Sequence, residues 1–177
     1  MIASGEVTIE RATQADAVLL SNLLELYAYD LSEVFSFDVG SDGRFGYSKL
    51  PLYWADPERR FAFLIQASGR IAGFAFATRG SPMSDNPEDL DVAEFFVIRR
   101  HRRSGVGRRA ARLLWDSIPG QWIVRVSESN RPALPFWESV IREYTRGEFS
   151  EAHRPGGVHR WRVFSFRTRE HARLVSV

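Results

Sequence analysis

The sequence predicts an α+β fold of the three-layer α/β type. It should be a single mixed, mostly antiparallel sheet flanked by helices, with residues 1–177 forming one domain. Three observations carry this reading. Apolar patterns of period two and period 3.6 succeed one another in the order β-α-α-β-β-β-α-β-α-β-β. A chain of 177 residues with 44% hydrophobic side chains suits one core of substantial size. Finally, between Ala93 and Ser117 an apolar strand runs through a cluster of arginines and a glycine pair into a helix.

Val7 to Arg11 alternates as a short strand. Thr13 is placed to cap a helix in which Ala17, Leu20, Leu23, Leu24 and Tyr27 recur at helical spacing. Asp38 to Gly46 is rich in Gly, Asp and Ser and reads as a loop, and Lys49 to Ala55 as a short helical turn. Phe61 to Ala67, Ser68-Gly69 and Arg70 to Thr78 read as a hairpin with a tight turn, followed by a polar loop from Gly80 to Glu88. Ala93 to Ile98 is a strand, Val106 to Ser117 a helix and Gln121 to Val126 a strand. Pro132 to Arg142 is a helix with Asn130 near its cap and prolines in its first turns. Tyr144 to Phe149 and His159 to Phe166 are expected to close the chain as a pair of strands.

Composition excludes several classes of function. Cys is absent, which removes disulfides, thiol nucleophiles and Cys-ligated metals. The four histidines, His101, His153, His159 and His171, lack ligand spacing, so no metal is expected. There is no Gly-x-Ser-x-Gly elbow and no P-loop lysine motif. The N-terminus shows no basic-then-apolar signal and no apolar run approaches membrane-spanning length, so a cytoplasmic protein off the membrane is expected. Charge is divided unevenly: residues 1–90 carry 13 Asp+Glu against 7 Lys+Arg, and residues 91–177 carry 9 against 17. An anionic ligand would favour the C-terminal half and a cationic one the N-terminal half.

The stretch from Arg102 to Arg108 is built for an anion. Gly105 and Gly107 lack a Cβ, so the backbone can turn tightly and approach a ligand closely. The helix behind them directs free N–H groups and the positive end of its dipole at the same place. Arg102 and Arg103 add planar donors suited to phosphate oxygens. Gly105-Val106-Gly107-Arg108-Arg109-Ala110 also satisfies a dinucleotide fingerprint, with Glu128 downstream where a ribose-binding acid belongs. Six residues, Arg99 to Ser104, separate strand from glycine, however, and no further βα repeats follow. The arginines at 99, 100, 102, 103, 108, 109 and 112 could also neutralise nucleic-acid phosphates, but no nucleic-acid motif accompanies them, and a nucleic-acid partner is not expected.

Arg102-Arg103-Ser104-Gly105-Val106-Gly107 fits the Arg-x-x-Gly-x-Gly/Ala signature and resembles the GCN5-related N-acetyltransferases (GNAT), as do the strand before it and the helix after it. The resemblance implies an acyl-CoA N-acyltransferase-like fold with acetyl-coenzyme A as cosubstrate and no metal. Its pyrophosphate would lie at Arg102, Arg103, Ser104, Gly105, Val106, Gly107 and Arg108, and its pantetheine arm along the backbone of Phe96, Val97 and Ile98. Asn130 begins Asn-Arg-Pro-Ala-Leu-Pro-Phe-Trp, similar to a family segment that touches the arm; an ordinary helix cap is the alternative. Glu94, inside an apolar strand, matches a base position of the family, and a solvent-facing residue of an alternating strand is the alternative. Trp137 stands where a Tyr acid is common, and an indole cannot serve as an acid near neutral pH. Tyr144 is a substitute candidate for that role, and a core tyrosine is the alternative.

In the family the first helices wall the acceptor pocket. Here Asp30, Glu33, Asp38 and Asp42 alternate with Tyr29, Phe35, Phe37, Phe45 and Tyr47, which suits a cationic amine; equally, they are core aromatics and a solvated loop. The expected activity is transfer of acetyl to a primary amine of a small molecule or peptide, by a monomer or homodimer. The competing class is a binding module that holds coenzyme A, a protein or a nucleic acid on the same fold without chemistry.

Overall fold

A computed structural model describes residues 6–168. Among the described residues seven strands form one sheet: β1 (Val7–Arg11), β2 (Arg60–Ala67), β3 (Arg70–Arg79), β4 (Leu90–Val97), β5 (Gln121–Ser127), β6 (Ser150–Gly156) and β7 (His159–Arg167). Their spatial order is β1-β2-β3-β4-β5-β7-β6. Every neighbouring pair is antiparallel except β4–β5, so the sheet is mixed as expected. The helices are α1 (Ala17–Phe35), α2 (Leu52–Ala55), α3 (Val106–Ser117) and α4 (Ala133–Thr145).

Three layers follow from the side-chain pattern. β2 is buried on both faces: Phe61, Phe63 and Ile65 join the core under α3 and α4, while Ala62 and Leu64 join the core under α1 and α2. Leu20, Leu23 and Leu24 are the buried stripe of α1, at the spacing the sequence shows. The Asp16 carboxylate accepts the Thr13 N–H at 2.8 Å and its hydroxyl at 3.1 Å, ordering the 3₁₀ turn that leads into α1. Ser68 and Gly69 both have positive φ, 50° and 70°, as a two-residue hairpin turn between β2 and β3 requires.

One expected element is misplaced. Tyr144 to Phe149 is not a strand. α4 continues to Thr145, with Tyr144 packed 4.9 Å from Trp115 and the Thr145 hydroxyl bonded to the Ile141 carbonyl. The helix stops at Arg146 and Gly147, both of positive φ. The strand is β6, an exposed polar edge containing Pro155, and it therefore lacks the apolar alternation that announces a strand.

Two irregularities mark the centre of the sheet. The β4–β5 pairing consists of Leu90 opposite Trp122 and Asp91 opposite Ile123, after which the two parallel strands part. In the β3–β4 ladder Phe76 faces Glu94 but Ala77 faces Val92, so Ala93 is an extra residue, a β-bulge.

Candidate active site

The fork between β4 and β5 lies in the middle of the molecule. β4 is buried at both ends, yet Ala93, Glu94 and Phe95 regain partial exposure at its centre. The bulge decides which way Glu94 faces. Leu90 and Val92 point to the α3–α4 core, and strict alternation would send Glu94 after them. The extra residue at Ala93 turns Glu94 to the α1 side instead, where Tyr27 donates to Oε2 at 2.7 Å and Tyr47 to Oε1 at 3.0 Å. Desolvation raises the Glu94 pKa above the usual carboxylate range, and the two hydroxyl bonds, Arg125 and Lys49 offset part of the rise.

Arg125 reaches this point from β5. It forms a two-pronged ion pair with Asp91, with Nε 3.1 Å from Oδ1 and Nη2 3.0 Å from Oδ2, and Ser81 donates to the same carboxylate at 2.7 Å. The Asp91 side chain is 1% exposed, so the pair is a buried rivet at the vertex of the fork. On its outer side Arg125 lies 5.6 Å from the Trp161 ring. Trp161, His159, Phe35 and Phe37 form an aromatic cluster that joins the end of α1 to the β6–β7 hairpin.

The cradle lies at the far end of β4. After Ile98 comes a 3₁₀ turn (Arg99–His101), then Arg103 at φ 59° and Gly105 at φ 85°, then α3. Left-handed residues just ahead of a helix turn successive backbone N–H groups toward one concavity, and the first-turn N–H groups of α3 have no partner within the helix. The two glycines serve different ends. A Cβ on Gly105 would meet nothing, but its φ favours glycine. A Cβ on Gly107 would lie 3.2 Å from Phe136, so its bareness serves helix packing. Ser104 bonds the His101 carbonyl at 2.8 Å and closes the turn.

The arginines are placed unequally. Arg102 turns inward: Nε donates to the Val97 carbonyl at 2.6 Å, Nη2 pairs with Asp30, and the guanidinium lies over Phe96. Arg99 shares Asp30 at 2.8 Å, and Arg108 and Arg112 share Glu143. Arg103 is exposed beside the cradle. Asp30, whose place in the sequence suggests an acceptor contact, is therefore bound to the cradle arginines.

The structure brings Glu94, Phe96 and Val97 onto β4, with Ile98 just past its end at the start of the 3₁₀ turn that leads to the cradle. Asn130 lies in the turn after β5, where its N–H and carbonyl bond Ser127 and Ala133; α4 has no side-chain cap, so the helix-cap role is not realised. Trp137 is buried edge-on to Phe95 at 5.0 Å. Tyr144 donates to Asp116 at 2.7 Å, at the end of α3 opposite the cradle, roughly 15 Å along the helix. Glu128 is engaged by His153 at 2.7 Å and by Arg160, and the elements after α4 are an antiparallel pair rather than another βα unit, so neither supports a dinucleotide. Tyr27, Arg125 and the bulge carry no motif of their own; the sequence signals for the tyrosines are the helical spacing of Tyr27 and the place of Tyr47 among the aromatics that follow it. Among the described residues no three His, Asp or Glu side chains gather as a metal-holding group, and no helix is long and apolar enough to cross a membrane; His171 lies outside the described residues.

Comparison with known proteins bears on the fold and the family. The model of the acetyltransferase (GNAT) family matches residues 25–140. No curated protein matches the chain in sequence. Among solved structures the chain is similar to an acetyltransferase from Thermus thermophilus, with 18% identity, a TM-score of 0.68, and coverage of 92% of this chain and 99% of that one. It is also similar to spermidine N-acetyltransferase from Vibrio cholerae in complex with CoA and spermine, with 13% identity, a TM-score of 0.62, and coverage of 92% and 95%. A third is the aminoglycoside acetyltransferase AAC(6')-Ib in complex with coenzyme A, with 15% identity, a TM-score of 0.66, and coverage of 92% and 95%.

Proposed function

The chain belongs to the acetyltransferase (GNAT) family, and from that premise we propose a direct acetyl transfer. Residues 1–177 act as one domain that passes acetyl from acetyl-coenzyme A to a primary amine, with Glu94 as base. The observation that carries this reading is the position of Glu94, a part-buried carboxylate in the fork of β4 and β5, on the same strand that ends in the anion cradle.

The residues present fit acetyl-coenzyme A. The free edge of β4 beyond Asp91 offers backbone groups to an extended arm, as an unpaired strand edge does. The N–H groups around Gly105 and the exposed Arg103 suit a pyrophosphate. Acetyl-coenzyme A supplies a thioester, whose carbonyl carbon is the electrophile. Glu94 removes a proton from the incoming ammonium so that the nitrogen lone pair is free, and its raised pKa makes it a better base than an exposed carboxylate. Trp137 donates no proton near neutral pH, and a thiolate can depart without one.

The acceptor enters from the α1 side, between the tyrosines that hold Glu94 and the Phe35–Trp161 cluster. Carboxylate and aromatic faces there suit a cationic amine. Proteins of the same fold include a spermidine N-acetyltransferase in complex with spermine and an aminoglycoside acetyltransferase, which supports an amine acceptor.

The test is a thermal shift and turnover assay across polyamines, aminoglycosides, amino acids and peptide N-termini. Acetyl-coenzyme A should stabilise the protein, and Ser104→Asp, which sets a negative charge at the exposed cradle, should abolish the shift. Glu94→Gln should bind acetyl-coenzyme A normally and turn over slowly. Tight binding of acetyl-coenzyme A with no acetylated product from any amine would instead favour the second reading, a coenzyme A-binding module, which the buried Trp137 supports.

A further inference from the structure

We propose that Tyr27 and Tyr47 are positioning residues for the reaction, two hydroxyls that orient the Glu94 carboxylate and hold it ionised beside the fork of β4 and β5. The proposal rests on the reading of Glu94 as the base.

The geometry assigns one donor to each oxygen: Tyr27 to Oε2 at 2.7 Å and Tyr47 to Oε1 at 3.0 Å. A carboxylate oxygen has two lone pairs, so each keeps one free for an incoming ammonium. The two hydroxyls together leave the carboxylate little freedom to rotate.

Both rings are held by packing. Tyr27 meets Phe74 edge-on at 5.6 Å and Phe96 at 5.8 Å, and Tyr47 meets Phe76 at 6.1 Å. Tyr47 arrives on a loop that α1 itself anchors, because Glu25 accepts the N–H groups of Phe45 at 2.7 Å and Gly46 at 3.0 Å. Aromatic rings fixed in this way form a preorganised donor pair.

The electrostatics are consistent with that role. Burial opposes charge on Glu94, and the hydroxyl bonds favour it. Burial and the neighbouring Glu94 charge push both tyrosine pKa values upward, so both stay protonated donors across the working pH range. The other groups that face Glu94 are Tyr53 from α2, Lys49 from the loop, and Arg125 from β5 with its partner Asp91. None of these donates a hydrogen bond to Glu94: Arg125 and Lys49 favour its charge through space, and the two tyrosines by direct contact.

The experiment compares Tyr27→Phe, Tyr47→Phe and the double variant with the parent protein, using the full chain. Carbon-13 carboxyl NMR titrates Glu94 directly, its resonance assigned by Glu94→Gln, and the pH profile of kcat/KM is recorded beside it. Each lost hydroxyl should move the Glu94 midpoint and the acid limb of the profile upward by roughly one pH unit, with acetyl-coenzyme A affinity unchanged. A fall in Tm with midpoint and limb both unmoved would reduce the tyrosines to packing and overturn the proposal. Full turnover of Glu94→Gln with an unaltered pH profile would overturn the base assignment instead, and the NMR midpoint would still report whether the hydroxyls grip the carboxylate.

Discussion

Arg102 of the cradle is paired with Asp30 of α1, and the same guanidinium donates to the Val97 carbonyl at 2.6 Å. One side chain thus ties α1, the end of β4 and the glycine turn ahead of α3 together. The Asp30 carboxylate is partly desolvated, but its bonds to Arg102 and Arg99 outweigh that effect and hold its pKa below the usual range.

Asp30→Asn should therefore separate stability from affinity. Loss of the ion pairs should lower Tm by a few degrees, corresponding to about 1 kcal/mol. Removal of a competing negative charge beside the cradle should strengthen acetyl-coenzyme A binding a few-fold at low salt, with the gain vanishing as salt screens it. Isothermal titration at two ionic strengths checks this; weaker binding at low salt would contradict it. Because the folded Asp30 pKa is depressed, its stabilisation is present above the unfolded value and lost as pH falls through the folded one.

The two cradle glycines should respond differently to Ala. Gly105→Ala forces a Cβ onto a residue at φ 85° and should cost about 1–2 kcal/mol, read by denaturant unfolding. Gly107→Ala gains about 1 kcal/mol of helix propensity but presses on Phe136 at 3.2 Å. Its net effect should stay within about 1 kcal/mol, while the ring-current shift of the Val97 methyl moves. Equal destabilisation of both variants would contradict the distinction.

Arg125→Leu leaves Asp91 buried without its ion partner. The expected loss is about 3–5 kcal/mol, as for other broken buried pairs. Adding Asp91→Asn should recover part of that loss, because the uncompensated charge is then gone. A loss below about 1 kcal/mol would show that Ser81 alone satisfies Asp91.

Glu94→Gln should become relatively more stable as pH rises. The folded pKa of Glu94 is raised, so ionising it costs the folded state free energy; the cost is absent below the unfolded value and complete above the folded one. Gln carries no such cost. The Tm difference between variant and parent should therefore shift in favour of Gln across a pH 4–8 series, and a constant difference would contradict the raised pKa.

Much of this architecture is legible in the chain. The Leu20, Leu23 and Leu24 stripe, the Ser68-Gly69 turn and the Arg-x-x-Gly-x-Gly loop are local signals, because each depends on neighbours within a few residues. β6 escapes a reading by pattern because an exposed edge strand carries no apolar alternation. The last turn of α4 resembles strand because Tyr144 and Thr145 suit either state. The Asp91–Arg125 rivet joins residues 34 apart and leaves no local trace.

The three-layer class, the family resemblance and the glycine turn ahead of α3 are written in the chain, since period and glycine placement are properties of the nearby backbone. Where Glu94 points and what holds it are not. A strand of period two assigns Glu94 to the face of Val92, and the bulge at Ala93, created by the pairing of β4 with β3, reverses that assignment. Tyr27 and Tyr47 meet the carboxylate from 67 and 47 residues away. Spacing along the chain carries no information about such a meeting; only packing α1 and its following loop over the forked sheet brings the three groups together.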